Sequence, residues 1–493
     1  MPGVLCALFC AVLLAACGGG GGVPVLPSSG EVSSPAAPAL PVPSLPPTTS
    51  TTPAPPATPQ GCSVDEQRAW LRADMNERYF WYDQQGTPNN AATSLPGYFD
   101  SLLFKPTDNF SFAQNEQQFT QFFAEGRRVG YGYSLAFADA QRSLLQFAVI
   151  EPLSPMAQAG VQRGDSVLAI DGLTPAQIAA GGLPAVSTEG VARRFSLRQR
   201  NGLLRDITVV SANFALSPVL ATATFALNAT QGQTQVGYLA YQQFIAGSDA
   251  ALKTALNKFY AGGVQELVLD LRYNGGGRVS TARDLASLIG GDALDGRTFA
   301  SLNFNNKNQA SNLVFRFVRN QQVAIPVSNF VRNPDGSFAF TSSGGAPDAP
   351  VASSSLRRLF VITSAATASA SELVINGLRP FMSVVQIGAT TNGKPYGFAP
   401  RANCGTVYNA VNFDSVNALG VGGYVNGLPA TCNVPDDLGH LLGDAAEART
   451  AAALAFITTG SCPAGAQTPL ALQLRGLPLV PLGETVPPQM FSF

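Results

Sequence analysis

The chain has 493 residues, which is long enough for two or three domains with a sizeable buried core. Its formal net charge is −1 and it contains no basic stripe, so nucleic acid is not an expected partner. Charged residues make up 12% of the chain, about half the usual share for a globular domain. This composition fits an exported protein with a neutral polar surface.

The first residues have the features of an export signal. The apolar run from Val4 to Ala16 is too short to span a bilayer, but it has the length of a signal-peptide core. The run ends in Leu14-Ala15-Ala16-Cys17, which resembles a bacterial lipobox, in which cleavage leaves the cysteine as the lipidated N-terminus. No Lys or Arg precedes the run, and a plain secretory signal with an incidental Cys17 is the alternative. We predict a lipoprotein signal peptide over residues 1–17.

The composition changes after this signal. Residues 18–61 are rich in Gly, Pro, Ser and Thr, which cannot build a core and which predict an extended linker. Gly18, rather than Asp, follows Cys17, and this favours the outer membrane facing the periplasm in a Gram-negative bacterium. No later stretch is apolar for long enough to form a transmembrane helix, so membrane attachment is expected only through the N-terminal lipid.

Residues 62–125 are predicted to form a small helical region. Apolar side chains recur at helical spacing after Cys62, and Ser63 with Glu66 forms a capping-box pattern at the start of the run. Residues 126–215 then change to short β-rich runs separated by turn residues.

The β-rich region resembles a PDZ domain. The resemblance rests on a short helix and a turn before a strand, in the segments Ser154-Pro155-Met156-Ala157, Ala159-Gly160-Val161, Arg163-Gly164-Asp165 and Ile170-Asp171-Gly172. It implies that Gly130, Tyr131, Gly132 and Tyr133 form the loop whose backbone N–H groups receive a peptide carboxylate. A β-rich subdomain that binds nothing, or that only regulates, is the alternative.

Strands and helices alternate over residues 216–470, which predicts a layered α/β domain, followed by a C-terminal tail over residues 471–493. The predicted strands are 234–244, 266–271, 358–363 and 384–388. The predicted helices span residues 249–260 and begin after Gly277 and after Ser369.

Four cysteines remain in the folded part, and in an oxidising compartment they predict two disulfides. Cys404 and Cys432 bracket one Gly- and Asn-rich excursion, so we expect them to pair. Cys62 with Cys462 would then join the two ends of the ordered chain. None of these cysteines has the C-x-x-C spacing of a zinc or redox site.

Several common enzyme sites are excluded by the sequence. His440 is the only histidine and lies far from any nucleophile motif, so a Ser-His-Asp triad would depend on its chance placement. An HExxH zinc site is impossible, there is no G-x-S-x-G elbow, and no lysine has a serine three residues before it. No metal and no cofactor are expected.

Ser369 is the candidate nucleophile. It lies in the run Thr367-Ala368-Ser369-Ala370-Ser371-Glu372, between a predicted strand and a predicted helix. Unpaired N–H groups at a helix N-terminus favour developing negative charge. The structural alternative is a helix cap, because Ser369 with Glu372 is also a capping-box pattern.

This run closely resembles that of the C-terminal processing peptidases, also called tail-specific proteases, whose nucleophile is the middle serine of a Ser-Ala-Ser-Ala-Ser-Glu run. Gly393-Lys394 lies where the family has its lysine base, at the family's distance after the nucleophile. Residues 267–277, which end in Asn274-Gly275-Gly276-Gly277, resemble the family's strand and glycine turn. A further match is Asp108-Asn109-Phe110-Ser111-Phe112.

The resemblance implies a crotonase-like α/β catalytic domain of ββα units, preceded by the PDZ-like domain and the helical region. It implies that exported polypeptides are cleaved by Ser369, with Lys394 as the base. A lysine can act as a base only when its amine is neutral, so Lys394 should be buried. Backbone N–H groups of Ala370 and Gly276 are the expected oxyanion donors, with Gly275 as the second choice.

Two departures from the family bear on this prediction. Phe398 stands where the processing peptidases have a glutamine that is thought to orient the lysine, and Pro380 stands where some members have an acidic residue. A catalytically silent lipoprotein that binds polypeptide C-termini is therefore one alternative function. An esterase or amidase of small molecules on the same scaffold is another.

Overall fold

The structure is a computed structural model and describes residues 61–139, 141–229, 232–319, 326–344, 356, 358–466 and 491–492. The predicted signal peptide with Cys17, and the predicted linker apart from Gly61, lie outside these residues. Within the described ranges, no helix is both long and apolar enough to cross a membrane.

The N-terminal region consists of three helices and one strand. They are α1 (Val64–Arg78), α2 (Leu95–Leu102), β1 (Phe112–Asn115) and α3 (Glu116–Phe123). The predicted capping box of Ser63 and Glu66 is confirmed at the start of α1. Apolar side chains of α1 and α2 form one cluster with Tyr408 and Val411, so this region packs on a late part of the chain. The helical prediction missed β1, which pairs antiparallel with the strand Thr406–Asn409.

The middle region is built mainly of antiparallel strands. Its elements are β2 (Arg127–Gly130), β3 (Tyr133–Phe137), β4 (Leu145–Ile150), α4 (Pro155–Gln158), β5 (Ser166–Ile170), α5 (Pro175–Gln177), β6 (Ala192–Arg198), β7 (Leu204–Val210) and β8 (Ala212–Ala215). Strands β3 to β7 form one five-stranded sheet in chain order, and β2 pairs with β8. The sequence prediction missed β6, whose inward positions include Arg193, because a buried arginine hides the apolar alternation.

The last region contains most of the remaining elements. Its strands are β9 (Val219–Ala229), β10 (Gly232–Tyr241), β11 (Glu266–Asp270), β12 (Gly277–Arg278), β13 (Thr298–Phe304), β14 (Leu313–Arg316), β15 (Pro326–Arg332), β16 (Phe338–Gly344), β17 (Arg358–Thr363), β18 (Ser383–Gly388), β19 (Tyr396–Gly397), β20 (Arg401–Asn403), β21 (Thr406–Asn409), β22 (Phe413–Val416), β23 (Cys432–Asn433) and β24 (Phe491–Ser492). Its helices are α6 (Ser248–Ala261), α7 (Val279–Gly290), α8 (Ala370–Leu378) and α9 (Ala448–Thr459).

A six-stranded sheet forms the core of this region. Its strand order is β23-β18-β17-β11-β10-β9, and the pairs are parallel except that β9 runs antiparallel to β10. Alternate residues of the central strands pack into two apolar layers. One layer contains α6, α7 and α8, and the other contains α9. The carboxyl ends of β11 and β17 therefore meet at one edge, where the glycine turn and the Ser369 run begin.

The expectation of two disulfides is confirmed, but the predicted pairing is wrong. Cys62 is bonded to Cys404, and Cys432 is bonded to Cys462. Cys404 lies in the turn between β20 and β21, and β21 pairs with the N-terminal region, so its nearest cysteine is Cys62. Cys432 lies on the edge strand β23, and Cys462 follows α9, which packs against the same sheet. The excursion between Cys404 and Cys432 thus joins two separate sheets and does not close on itself.

Candidate active site

The glycine turn and the Ser369 run form one hydrogen-bonded unit. The backbone N–H of Ala368 donates to the carbonyl of Asn274 at 3.1 Å, and the Asn274 side chain donates to the carbonyl of Tyr241 at 3.0 Å. Gly276 has φ +103°, and a Cβ atom placed on it would lie 2.7 Å from the Cβ of Ser369. Only glycine allows this approach of the turn to the candidate nucleophile.

Ser369 differs from its neighbouring hydroxyl residues. Thr367 donates its hydroxyl to the carbonyl of Leu271 at 2.7 Å, and Ser371 donates to the carbonyl of Asn274 at 3.0 Å. The Ser369 Oγ is buried and has no hydrogen-bond partner among the described residues. Ser369 also has φ 63° and ψ −120°, a sparsely populated conformation for a residue with a Cβ atom. A strained backbone that presents a hydroxyl without a structural partner is typical of a functional residue.

Glu372 joins the Ser369 backbone to the turn that carries Lys394. Its Oε2 accepts hydrogen bonds from the backbone N–H groups of Ser369 at 2.8 Å and of Lys394 at 2.9 Å. Its Oε1 accepts from the N–H of Gly393 at 2.7 Å and from the hydroxyl of Thr391 at 2.6 Å. Burial raises the pKa of Glu372, while these four donated hydrogen bonds act in the opposite direction. The Ser369–Glu372 pattern predicted only a helix cap for this carboxylate, and its link to the lysine turn depends on the tertiary structure.

The Lys394 side chain is fully buried. Its Nζ lies 4.4 Å from the ring centroid of Phe398 and 5.9 Å from that of Phe110. Burial lowers the pKa of Lys394 to about 7, although the charges of Asp108 and Glu372 oppose this shift. An amine with this pKa is substantially neutral near pH 7, as a general base requires.

The pocket around Lys394 combines residues that are distant in the sequence. Phe398, which replaces the family's glutamine, presents its ring to the ammonium group. Asp108 is buried and accepts hydrogen bonds from the hydroxyl of Tyr79 at 2.7 Å and from the N–H groups of Phe110 and Ser111 at 2.9 Å. The segment 108–112 was recognised only as a family match, and the structure places it beside the lysine.

The candidate oxyanion donors have different environments. The N–H of Gly276 donates to the Oδ1 of Asn274 at 2.9 Å, so this donor already has a partner. The N–H groups of Ala370 and Gly275 donate to no group within the described part of the chain. Gly275, the second choice from the sequence, therefore has the available donor in the glycine turn.

A largely buried ionic cluster, with Asp436 at its exposed side, begins directly before the glycine turn. We call it the Arg272 cluster; it contains Arg272, Asp270, Glu447, Asp436, Tyr273 and Arg163. Arg272 makes a two-pronged bond to Glu447 at 2.6 and 2.8 Å and also bonds to Asp270 and Asp436. Arg163 comes from the middle region and donates to Asp436 at 3.1 Å. The cluster thus connects the middle region to the strand that leads into the glycine turn.

The other sequence-predicted residues lie apart from this chemistry. Gly130, Tyr131, Gly132 and Tyr133 are all buried. A Cβ atom on Gly132 would overlap the side chain of Ser154, so the loop is packed closely against the start of α4. The imidazole of His440 is partly exposed and pairs with Asp437 at 2.7 Å.

Comparisons with known proteins relate two parts of the chain to one peptidase family. Residues 235–400 match the family model described as peptidase family S41, and residues 66–112 match the peptidase S41 N-terminal domain. A carboxyl-terminal-processing protease from Picosynechococcus sp. is 28% identical over 256 residues, which cover 50% of each chain. One from Synechocystis sp. is 29% identical over 148 residues, or 29% of this chain and 34% of that protein. The chain therefore spans half or less of the length of the curated relatives that it matches.

A solved S41 protease from Bacteroides fragilis shares the fold. The two structures agree with a TM-score of 0.59 at 24% sequence identity, covering 79% of this chain and 97% of the other. The mixed α/β fold is therefore that of S41 peptidase structures. The expected resemblance to the C-terminal processing peptidases is confirmed by the family matches and by the named relatives.

Proposed function

We propose that this chain, which carries a peptidase family S41 domain and its N-terminal domain, is a serine peptidase of the C-terminal processing type. Ser369 would attack the carbonyl of a polypeptide substrate while Lys394 takes the hydroxyl proton. One observation supports this most directly: the Oε2 atom of Glu372 accepts hydrogen bonds from the backbone N–H groups of both Ser369 and Lys394.

The proposed reaction passes through an acyl-enzyme. The Ser369 Oγ forms a bond to the carbonyl carbon, and the oxyanion would be bound by the N–H groups of Ala370 and of the glycine turn. Of Gly276 and Gly275, the second has the donor without a partner among the described residues. Lys394 would return its proton to the leaving amine and then activate the water that releases the acyl group. No step needs a metal or a cofactor.

The finer domain assignments belong to the same proposal. Residues 216–470 would be a crotonase-like catalytic domain of ββα units, and residues 126–215 would be a PDZ-like domain that captures substrate C-termini. The partly buried ionic bond from Arg163 to Asp436 supports a working connection between these two regions. Because Gly130 to Tyr133 are buried, carboxylate capture by that loop would require α4 to move away.

Export and lipid anchoring through Cys17 are proposed from the sequence pattern alone. Mass spectrometry of the mature N-terminus tests them, since an unmodified terminus at any residue other than Cys17 would contradict lipidation.

Labelling with a fluorophosphonate, followed by peptide mapping, tests the nucleophile. We expect the label on Ser369 and no label in Ser369→Ala. The matched controls Thr367→Ala and Ser371→Ala should keep most of the labelling, because their hydroxyls already donate to backbone carbonyls. A silent binding protein would not be labelled in any form. A panel of peptides with free and amidated C-termini separates a processing peptidase from an esterase or amidase of small molecules.

A further inference from the structure

The short strand β12 directly follows the glycine turn, and both of its edges are occupied. On one edge, the N–H of Arg278 donates to the carbonyl of Phe244 at 2.9 Å, and Gly277 forms a parallel bridge with Phe244. On the other edge, β24 runs parallel to β12, with Phe491 opposite Gly277 and Ser492 opposite Arg278. A segment far along the sequence thus adds a strand beside the candidate active site.

The position of β24 relates it to both catalytic residues. Gly277 follows Gly276, which approaches Ser369 too closely for any Cβ atom. The strand β24 also lies close to β19, which begins two residues after Lys394. The segment Phe491–Ser492 is therefore close both to the turn that faces the nucleophile and to the strand that follows the base. Ser369 and Lys394 are both fully buried in this arrangement, as in a covered site.

We propose that Phe491–Ser492 occupies the edge of β12 to which an extended substrate would bind. The chain would then carry its own competitive inhibitor. This inference rests on the proposed peptidase function and adds its regulation. A peptide that joins a sheet edge gains main-chain hydrogen bonds whatever its sequence, so the internal segment and a substrate compete for the same donors and acceptors. A tethered segment competes at an effective concentration on the order of millimolar, so weak intrinsic pairing is enough to slow entry.

The test compares the full chain with a variant that lacks residues 487–493. The rate of fluorophosphonate labelling at Ser369 should rise at least about tenfold in the shortened variant. A synthetic peptide with the sequence of residues 487–493 should slow that labelling again. Its twin, N-methylated at the positions of Phe491 and Ser492, should not, because it has the same side chains but lacks the two backbone donors.

A second measurement is independent of catalysis. In the Ser369→Ala background, fluorescence anisotropy of the fluorescein-labelled peptide should show at least tenfold tighter binding to the shortened chain than to the full chain. Equal binding, together with equal labelling rates, would overturn the inference while labelling at Ser369 still supports the peptidase. If no form is labelled, the proposed function fails, and the anisotropy comparison alone decides whether the segment occupies the edge.

Discussion

Lys394 and Arg272 are both buried cations, but their surroundings differ. Arg272 lies among Asp270, Asp436 and Glu447 and bonds to all three carboxylates. Burial alone would lower the pKa of Arg272, yet attraction to Asp270 and the other carboxylates raises it well above its ordinary value. Lys394 lies against aromatic rings, and burial lowers its pKa to about 7 although the charges of Asp108 and Glu372 oppose this shift. The first environment holds a fixed charge, and the second holds an amine that can lose its proton.

Under the proposed function, Arg272 would be a structural cation and Lys394 a general base. Removing a partner from a buried ion pair leaves an uncompensated charge and costs stability. A lysine whose burial outweighs the attraction of nearby carboxylates lowers stability when it is protonated, and proteins tolerate that cost at sites where they use the neutral amine. If the two cations have these different roles, their substitutions should affect catalysis, stability and pH dependence differently.

The largest expected effect is on catalysis. Lys394→Arg should reduce the hydrolysis rate about 10³-fold or more, because a guanidinium keeps its proton and cannot act as a base. Steady-state rates on a peptide substrate measure this. His440→Ala is the control and should retain activity, since that imidazole pairs with Asp437 outside the Ser369–Glu372–Lys394 unit. A dead His440→Ala with an active Lys394→Arg would require a histidine-dependent mechanism instead.

The second prediction compares the stability of two matched variants. Arg272→Met should lower the free energy of unfolding by about 3–5 kcal/mol, because it leaves buried carboxylates without their cation. Lys394→Met should raise it by about 2 kcal/mol at pH 6, because it removes an amine whose protonation the pocket disfavours. Urea denaturation of both variants in the Ser369→Ala background measures these differences. A loss of similar size in both variants would contradict the distinction between the two cations.

The third prediction concerns the pH dependence of the rate and of stability, and its expected change per pH unit is smaller than the effects of the substitutions above. In the proposed mechanism the base is neutral Lys394, so the rate should rise about tenfold per pH unit below about pH 7 and level off above it. The folded pKa lies below the ordinary 10.5, so the unfolded chain binds more protons between these values. The contribution of Lys394 to stability should therefore increase as the pH rises through that window.

The Arg272 cluster should respond in a different window. Hydrogen bonds and attraction from Arg272 overcome burial and lower the pKa of Glu447 from 4.5 to about 2. Its contribution to stability is therefore present above pH 4.5 and is lost as the pH falls toward 2. Thermal unfolding of the full chain between pH 2 and pH 6 should show this loss. If the activity falls only below pH 4.5, the pH dependence of the rate comes from titration of the carboxylates and not from Lys394.

The sequence by itself determined the local elements and the motif residues. The strand Arg358–Thr363 and the helix that begins after Ser369 were predicted correctly, because continuous apolar runs and small-residue turns are local properties of the chain. The link between the Ser369 run and Gly393-Lys394 came from the resemblance to the processing peptidases, which rests on motifs that are visible in the sequence. The family resemblance that these motifs imply is confirmed.

Only the tertiary structure decided which distant residues meet. Asp108 and Phe110 of the N-terminal region lie near Lys394. Cys404 is bonded to Cys62 and not to Cys432. Both follow because strand pairing brings together segments that are hundreds of residues apart. The same holds for Glu372, whose pattern suggested a helix cap although its carboxylate also binds the lysine turn. Hydrogen-bond partners depend on the packed arrangement of the backbone, and residue spacing alone does not specify that arrangement.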